Sequence, residues 1–498
     1  MIRDTFDAIV HNLNVRQNLS LLKQELKNEN NKHALLFYIG NQYNRIFIQL
    51  LDHNDPKVRK NTALVMGELG KDEFLKPLYH AYLREVKLFV KSSYLNAIKE
   101  LDYRELLPEL KKRLEQLSQI EISEENKKHY QEEMRALSDL VILMEGVKAH
   151  KFRGLNRPAE VILLTNRNHI SVTMEKLPKT ARARAFNAGI QVKAPSLEEI
   201  LPIRTYSELL FLIDGMKSCA IDVKAAAKTV TESSFLSFLK ERHEGTCPFY
   251  FRIELKTKME AAKKAAFAKK LGAAIEQATG RELINSTSHY EVELRFVENK
   301  EGNFNILVKL YTIKDDRFAY RKETVASSIR PVNAALAVAL TAQYQKEEAQ
   351  VLDPFCGVGT MLIERHKNVK ANTMYGVDIY GESIKKAREN AEEARQIIHF
   401  INRDFFDFTH EYLFDEVITD MPFTLGKVGE EEVKQIYIQF FKKIKTHLAK
   451  DAVLILYSRN KGLVRKYAPA NGFEVIEEFE ISMKEGTYVF VLKEKYTS

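Results

Sequence analysis

The chain has 498 residues, room for three or four domains, and its 45% hydrophobic content gives each a core to bury, which excludes a disordered protein. Its 76 Lys and Arg outnumber 68 Asp and Glu by eight, an excess that permits a polyanionic partner without demanding one. Three cysteines, Cys219, Cys247 and Cys356, are too few and too far apart for a disulfide framework or the paired spacing of a zinc site, so no metal is expected and a reducing compartment is. Trp is absent. Met1 to Val15 holds Asp4, Asp7 and His11 where a signal peptide needs an unbroken apolar stretch, and no later apolar run approaches membrane-spanning length. A soluble, cytoplasmic protein is expected.

Residues 1–147 read as helices throughout, leucine-rich and apolar at three- and four-residue spacings, with Pro and Gly confined to turns. A repeat of about 32 residues runs through them. Asp55-Pro56-Lys57-Val58-Arg59 opens a helix bearing Ala63, Leu64 and Leu69, and a second helix follows from Phe74 through Leu78; a shift by one repeat superposes Val90, Leu95, Leu101, Leu106 and Leu110. Asp suits a helix N-cap and Pro the first helical position. The pattern resembles HEAT repeats, helix pairs that stack into a solenoid and offer a surface to a protein partner. An ordinary helical bundle would carry the same leucines.

Between Lys148 and Arg184, nine basic residues (Lys148, Lys151, Arg153, Arg157, Arg167, Lys176, Lys179, Arg182 and Arg184) face only Glu160 and Glu175. Such a run makes either a phosphate-binding surface or a solvated linker rim. It contains a strand, Glu160 to Leu164, and precedes helix-like segments around Ser207 to Ile213, so 148–245 reads as a small α/β module with a linker. In 246–325 the order is strand (Phe249 to Leu255), amphipathic helix (Met259 to about Ala278) and two strands with period-two patterning, Tyr290 to Phe296 and Asn305 to Tyr311. This order, with the basic residues and the position ahead of the next domain, resembles a THUMP domain behind a ferredoxin-like partner, which implies capture of tRNA or an rRNA segment.

From 326 to 498 strands and helices alternate, with strands at Val351 to Asp353, Met374 to Asp378, Phe400 to Asn402, Glu416 to Thr419 and Val453 to Tyr457, closed by a hairpin of Phe473 to Phe479 and Thr487 to Leu492. The pattern predicts a doubly wound, Rossmann-like α/β sheet. Its first strand runs into Asp353-Pro354-Phe355-Cys356-Gly357-Val358-Gly359-Thr360, where two glycines let the backbone bend close to a ligand. A dinucleotide fingerprint would put a third glycine at Leu362. Asp378 ends the second strand, where a carboxylate can accept from both hydroxyls of a ribose, and Asp404 with Phe405 follows the third. The fourth delivers Thr419-Asp420-Met421-Pro422-Phe423. Upstream, Ser327 to Leu336 begins an Ala-rich helix expected beside the glycine loop, with Arg330 exposed.

The Asp-Pro-Phe-Cys-Gly-x-Gly-Thr loop and the Asp-Met-Pro-Phe turn resemble those of THUMP-containing class I S-adenosylmethionine-dependent RNA guanine-N2 methyltransferases. The resemblance covers 326–498 specifically and 150–325 in outline, and leaves the HEAT-like region aside. It implies S-adenosylmethionine as cofactor, held by Asp353, Phe355, Gly357, Gly359, Thr360, Asp378, Asp404 and Phe405. It further implies methyl transfer to an exocyclic amine of tRNA or rRNA at Asp420, Met421, Pro422 and Phe423. Delocalisation makes that amine a weak nucleophile, and N–H acceptors at Asp420 and the Met421 carbonyl would correct it while Phe423 stacks on the base. Met421 stands where relatives carry proline or leucine, and Val332 where they carry threonine. Adenine-N6 methylation of RNA or DNA, or an inactive HEAT and RNA-binding scaffold, are the alternatives.

Overall fold

A computed structural model describes residues 2–40, 44–119, 126–145, 150–424 and 429–495, in two compact units, Met1–Ala149 and His150–Ser498. Lys148 and the 147/148 boundary lie outside the described residues. No helix among those described is long and apolar enough to cross a membrane.

The first unit is helical: α1 (Ile2–Val10), α2 (Val15–Glu25), α3 (Glu29–Ile39), α4 (Asn44–Leu50), α5 (Pro56–Leu69), α6 (Leu75–Arg84), α7 (Leu88–Ile98), α8 (Leu107–Gln119) and α9 (Lys127–Glu145). Asp55 caps α5 by accepting from the Lys57 N–H at 2.8 Å, with Pro56 at the first position and Gly70 left-handed (φ 67°) beyond the end. Helix α5 packs between α2 and α7, and α7 also packs on α9. The residues one repeat apart share a fate: Val58, Ala63, Leu69, Phe74 and Leu78 are buried, as are Val90, Leu95, Leu101 and Leu110, while Leu106 is partly covered. Arg59 of α5 holds Glu85 through Nε and Nη2 at 2.9 and 2.8 Å, and Glu85 also accepts from Tyr94, tying consecutive helices.

In the second unit, β1 (Lys151–Phe152) pairs with β7 (His243–Glu244), and a nine-stranded sheet combines β2 (Ala159–Thr165), β3 (Arg182–Phe186), β4 (Gly189–Ala194), β5 (Tyr206–Phe211), β6 (Ser218–Ala220), β8 (Phe249–Lys256), β9 (Leu283–Asn285), β10 (Val292–Glu298) and β11 (Asn303–Leu310). Its order is β3-β4-β2-β5-β11-β10-β8-β9, with β6 beside β11. The segment expected to be helical around Ser207 to Ile213 is strand β5 over most of its length. Its apolar run suits either conformation, and pairing with β2 and with β11 (Phe211 opposite Val308) decides for the strand. That pairing also carries the sheet across 245/246, so both middle segments share one core.

The last sheet has β12 (Gln350–Asp353), β13 (Thr373–Asp378), β14 (His399–Asn402), β15 (Phe414–Asp420), β16 (Leu448–Ser458), β17 (Phe473–Ser482) and β18 (Thr487–Glu494), in the order β14-β13-β12-β15-β16-β18-β17. The first five are parallel and β18 inserts antiparallel between β16 and β17. Strand order reverses between β12 and β15, which opens a crevice at their carboxyl ends. The two sheets are stitched together: Glu364, almost fully buried, accepts from Arg204 Nε at 2.8 Å and from the Tyr320 hydroxyl at 2.6 Å, while Asn166 Nδ2 and His169 Nε2 donate to the Ile481 and Glu480 carbonyls.

Beneath the crevice, Arg365 donates from Nε and Nη2 to Glu416, both at 2.7 Å, with both side chains buried. Removing one partner leaves a buried charge alone, which costs about 3–5 kcal/mol. We expect Glu416→Ala to destabilise the second unit by about that much in urea titrations, and Arg365→Met with Glu416→Leu to recover most of it. Equal losses in the single and double variants would show that the pair is not what holds this layer.

Candidate active site

The crevice holds a cavity of about 500 Å3. Asp353, Asp378 and Asp420 reach it as the last residues of β12, β13 and β15, and Asp404 follows β14. Phe355, Gly357, Thr360, Phe405, Met421, Pro422 and Phe423 line it too. Gly359 is the one candidate residue outside the wall. It is left-handed (φ 81°) at the start of the helix Thr360–Asn368, and a Cβ there would lie 2.8 Å from the Phe400 ring, so it serves packing under the loop. Gly357 is also left-handed (φ 51°), and a Cβ on it would meet open space; its N–H donates to Asp378 Oδ2 at 2.9 Å. Asp378 Oδ1 accepts from the Tyr380 N–H at 2.8 Å, fixing the carboxylate between two turns.

Phe405 is nearly inaccessible, set among Phe355, Phe406 and Phe440, so it is a floor for the cavity more than a free flanking ring. Asp404 caps the Phe406 N–H at 2.9 Å. Met421 is buried, and its N–H donates to the Tyr457 carbonyl at 2.8 Å, locking the Asp420 turn to the end of β16.

The electrostatics are one-sided. The wall carries five acids, Asp353, Asp378, Asp404, Asp420 and Glu432, and no Lys, Arg or His among the described residues. Burial pushes Asp353 up to about 8, with the charges of Asp420 and Asp378 adding to the effect. Burial likewise pushes Asp420 up to about 7, against the pull of Arg459, and raises Asp378. Two polar atoms of the wall, Asp420 Oδ1 and Thr360 Oγ1, are buried without a hydrogen-bond partner. A cationic ligand bearing N–H or O–H donors would satisfy both deficits; a pyrophosphate would meet five carboxylates. Among the described residues no group of His, Cys, Asp and Glu is placed to hold a metal ion.

Ser327, Ser328 and Ile329, from the stretch expected beside the glycine loop, form with Val325 a wall ahead of the helix Pro331–Leu340. Other parts had no signal in the sequence. Asn390 holds that segment in place, accepting from the Glu323 N–H at 3.0 Å and donating to the carbonyls of Glu323 and Val358. Exposed Ile379 and Tyr380 make an apolar lip. Arg459 covers the Phe423 ring, 3.5 Å from its centroid. Arg330 lines a separate cleft with Asn166 and Lys484.

Residues 319–487, about a third of the chain, match the UPF0020 family model, described as an RMKL-like methyltransferase domain. Solved structures similar to the chain include TrmN from Thermus thermophilus (19% identity, TM-score 0.50, covering 67% of this chain and 99% of that one). SMU.472, named as a methyltransferase and crystallised in complex with SAH, matches at 12% identity and a TM-score of 0.52, covering 69% of this chain and 99% of that one. A protein named as a predicted N6-adenine-specific DNA methylase from Listeria monocytogenes matches at 15% identity and a TM-score of 0.51, covering 67% and 96%. At these identities the likeness is one of fold, and the C-terminal sheet with its crevice is a class I methyltransferase fold within a methyltransferase domain match.

Proposed function

We propose that the protein is an S-adenosylmethionine-dependent methyltransferase that modifies an exocyclic amine in structured RNA, guanine N2 of a tRNA or rRNA being the favoured target. The observation that carries this reading is the cavity wall with five acids and no base among the described residues, closed by an Asp-Met-Pro-Phe turn. S-adenosylmethionine is the cofactor, and it supplies an electrophilic methyl on a cationic sulfonium. Asp378 would accept from ribose hydroxyls, Gly357 would let the backbone approach, and Asp353 would supply negative charge to the cation. Asp420 Oδ1, which lacks a partner, would accept an N–H of the target amine while Phe423 stacks on a base flipped from its helix. No covalent enzyme intermediate is needed, so alignment and electrostatics carry the rate.

The RNA part of the reading rests on the basic run and its placement. Arg182 and Arg184 stand on β3, an edge strand exposed along its whole length, with Arg182 opposite Lys193. Arg153 and Arg157, by contrast, are paired with Glu244 and Glu241. Adenine N6 is the second target this turn would fit, and the name of the Listeria protein points that way. Mass spectrometry of RNA from a deletion strain separates the two bases.

Three outcomes are expected. Asp420→Ala keeps S-adenosylmethionine affinity within a few-fold and loses turnover on the order of 10²–10³-fold, whereas Asp378→Ala weakens donor binding in calorimetry; full activity in either variant would contradict the roles given. The second concerns pH. Asp353 holds its proton in the folded protein far above the usual carboxylate value, so ligand-free stability falls as pH rises from about 4 towards 8. A cation bound beside Asp353 favours its carboxylate form, so affinity for S-adenosylmethionine should climb between about pH 6 and 9 and gain more than affinity for neutral S-adenosylhomocysteine. Parallel, flat profiles for the two would remove the electrostatic argument. Thirdly, neutralising Arg182 and Arg184 should weaken binding to total tRNA and flatten its salt dependence by roughly one to two units of slope; an unchanged slope would return this strand to a solvated edge.

A further inference from the structure

Behind the Asp420 turn lies a residue that the cavity wall does not contain. Arg459 sits between the end of β16 and the helix Lys461–Ala470, and its guanidinium carbon lies 3.5 Å from the centre of the Phe423 ring, a stacking distance. Phe423 lines the cavity and Arg459 does not, so the guanidinium covers the ring from the far side. The turn that carries it is built rigidly. Ser458 Oγ accepts from the Asn460 N–H at 2.9 Å and shares a hydrogen bond with the Tyr437 hydroxyl at 2.8 Å, while Tyr457 holds the Met421 N–H.

The corner is also incomplete in a matched way. Arg459 Nη1 and Asp420 Oδ1 are both buried without a hydrogen-bond partner. Asp420 faces Asp353 from β12 and shares its cavity with Asp378 from β13, Asp404 beyond β14 and Glu432 from the helix Glu430–Lys443, with the Tyr437 and Tyr457 rings close by. Arg459 supplies the positive charge that opposes protonation of Asp420. A lysine could supply charge, but only the flat, weakly hydrated guanidinium can supply it while stacked on a ring.

We propose that Arg459 is a positioning residue of the methyl-transfer corner: it pins the Phe423 ring from behind and sets a positive charge where Asp420 must be a carboxylate to accept an amine N–H. The proposal rests on the reading of Asp420 and Phe423 as the acceptor corner.

The absence of Trp supplies a probe that needs no RNA. Phe423→Trp places one indole in the full-length protein beneath Arg459, and its emission responds to protonation of the neighbouring carboxyl while its anisotropy reports its freedom. With Arg459 present, anisotropy should be high and the emission should titrate near pH 7, where Asp420 takes up its proton. Arg459→Met, and Arg459→Gln should the first fail to fold, should lower the anisotropy and move the midpoint up by roughly one unit or more. Arg459→Lys should retain the midpoint and still lose anisotropy. A midpoint and anisotropy unmoved in the Met and Gln variants would overturn the proposal. Calorimetry with S-adenosylmethionine on the same proteins keeps the two readings apart. Failure of the unaltered chain to bind would remove the proposed function, while the titration of the indole emission would still decide whether Arg459 acts on this corner.

Discussion

Parallel strands that end side by side must bring their last residues together, and here those residues are acids. Asp353, Asp378 and Asp420 end β12, β13 and β15, Asp404 follows β14, and all four meet in one cavity. Burial drives Asp353 and Asp420 towards their protonated forms, and at Asp353 the neighbouring charges of Asp420 and Asp378 add to it. The remaining features of the second unit keep this arrangement in being: the Arg365 and Glu416 pair below it, the glycine bend that lets Gly357 reach Asp378, and the aromatic floor around Phe405. A site held in that state is poised for a cation.

The same constraint separates this crevice from a dinucleotide site on a similar sheet. Both use a glycine turn and an acid at the second strand. A dinucleotide site adds room and helix-dipole stabilisation for a pyrophosphate, whereas here Leu362 occupies the third glycine position and is fully buried in the core. The anionic wall then makes the choice.

Much of this could be read from the sequence because it is local. The strand-loop-helix at Val351 to Thr360, the acids at strand ends and the Asp55 cap are set by neighbours a few residues away, and the structure places them as their spacing implies. What could not be read depends on distant partners. Ser207 to Ile213 carries no period that separates helix from strand, and only β2 and β11 make it a strand. Arg459 lies 36 positions beyond Phe423 in an unremarkable turn, and nothing local announces that its side chain lies on that ring. Asn390 belongs to the same class, a polar residue on the buried face of a helix whose partners are the Glu323 and Val358 carbonyls.

That asparagine joins two pieces of chain with different duties. One amide grips both the segment leading out of the nine-stranded sheet and the Val358 carbonyl, one residue past the Gly357 bend. Replacing Asn390 would therefore unfasten both pieces at once, leaving the Glu323 N–H and the Glu323 and Val358 carbonyls without this partner.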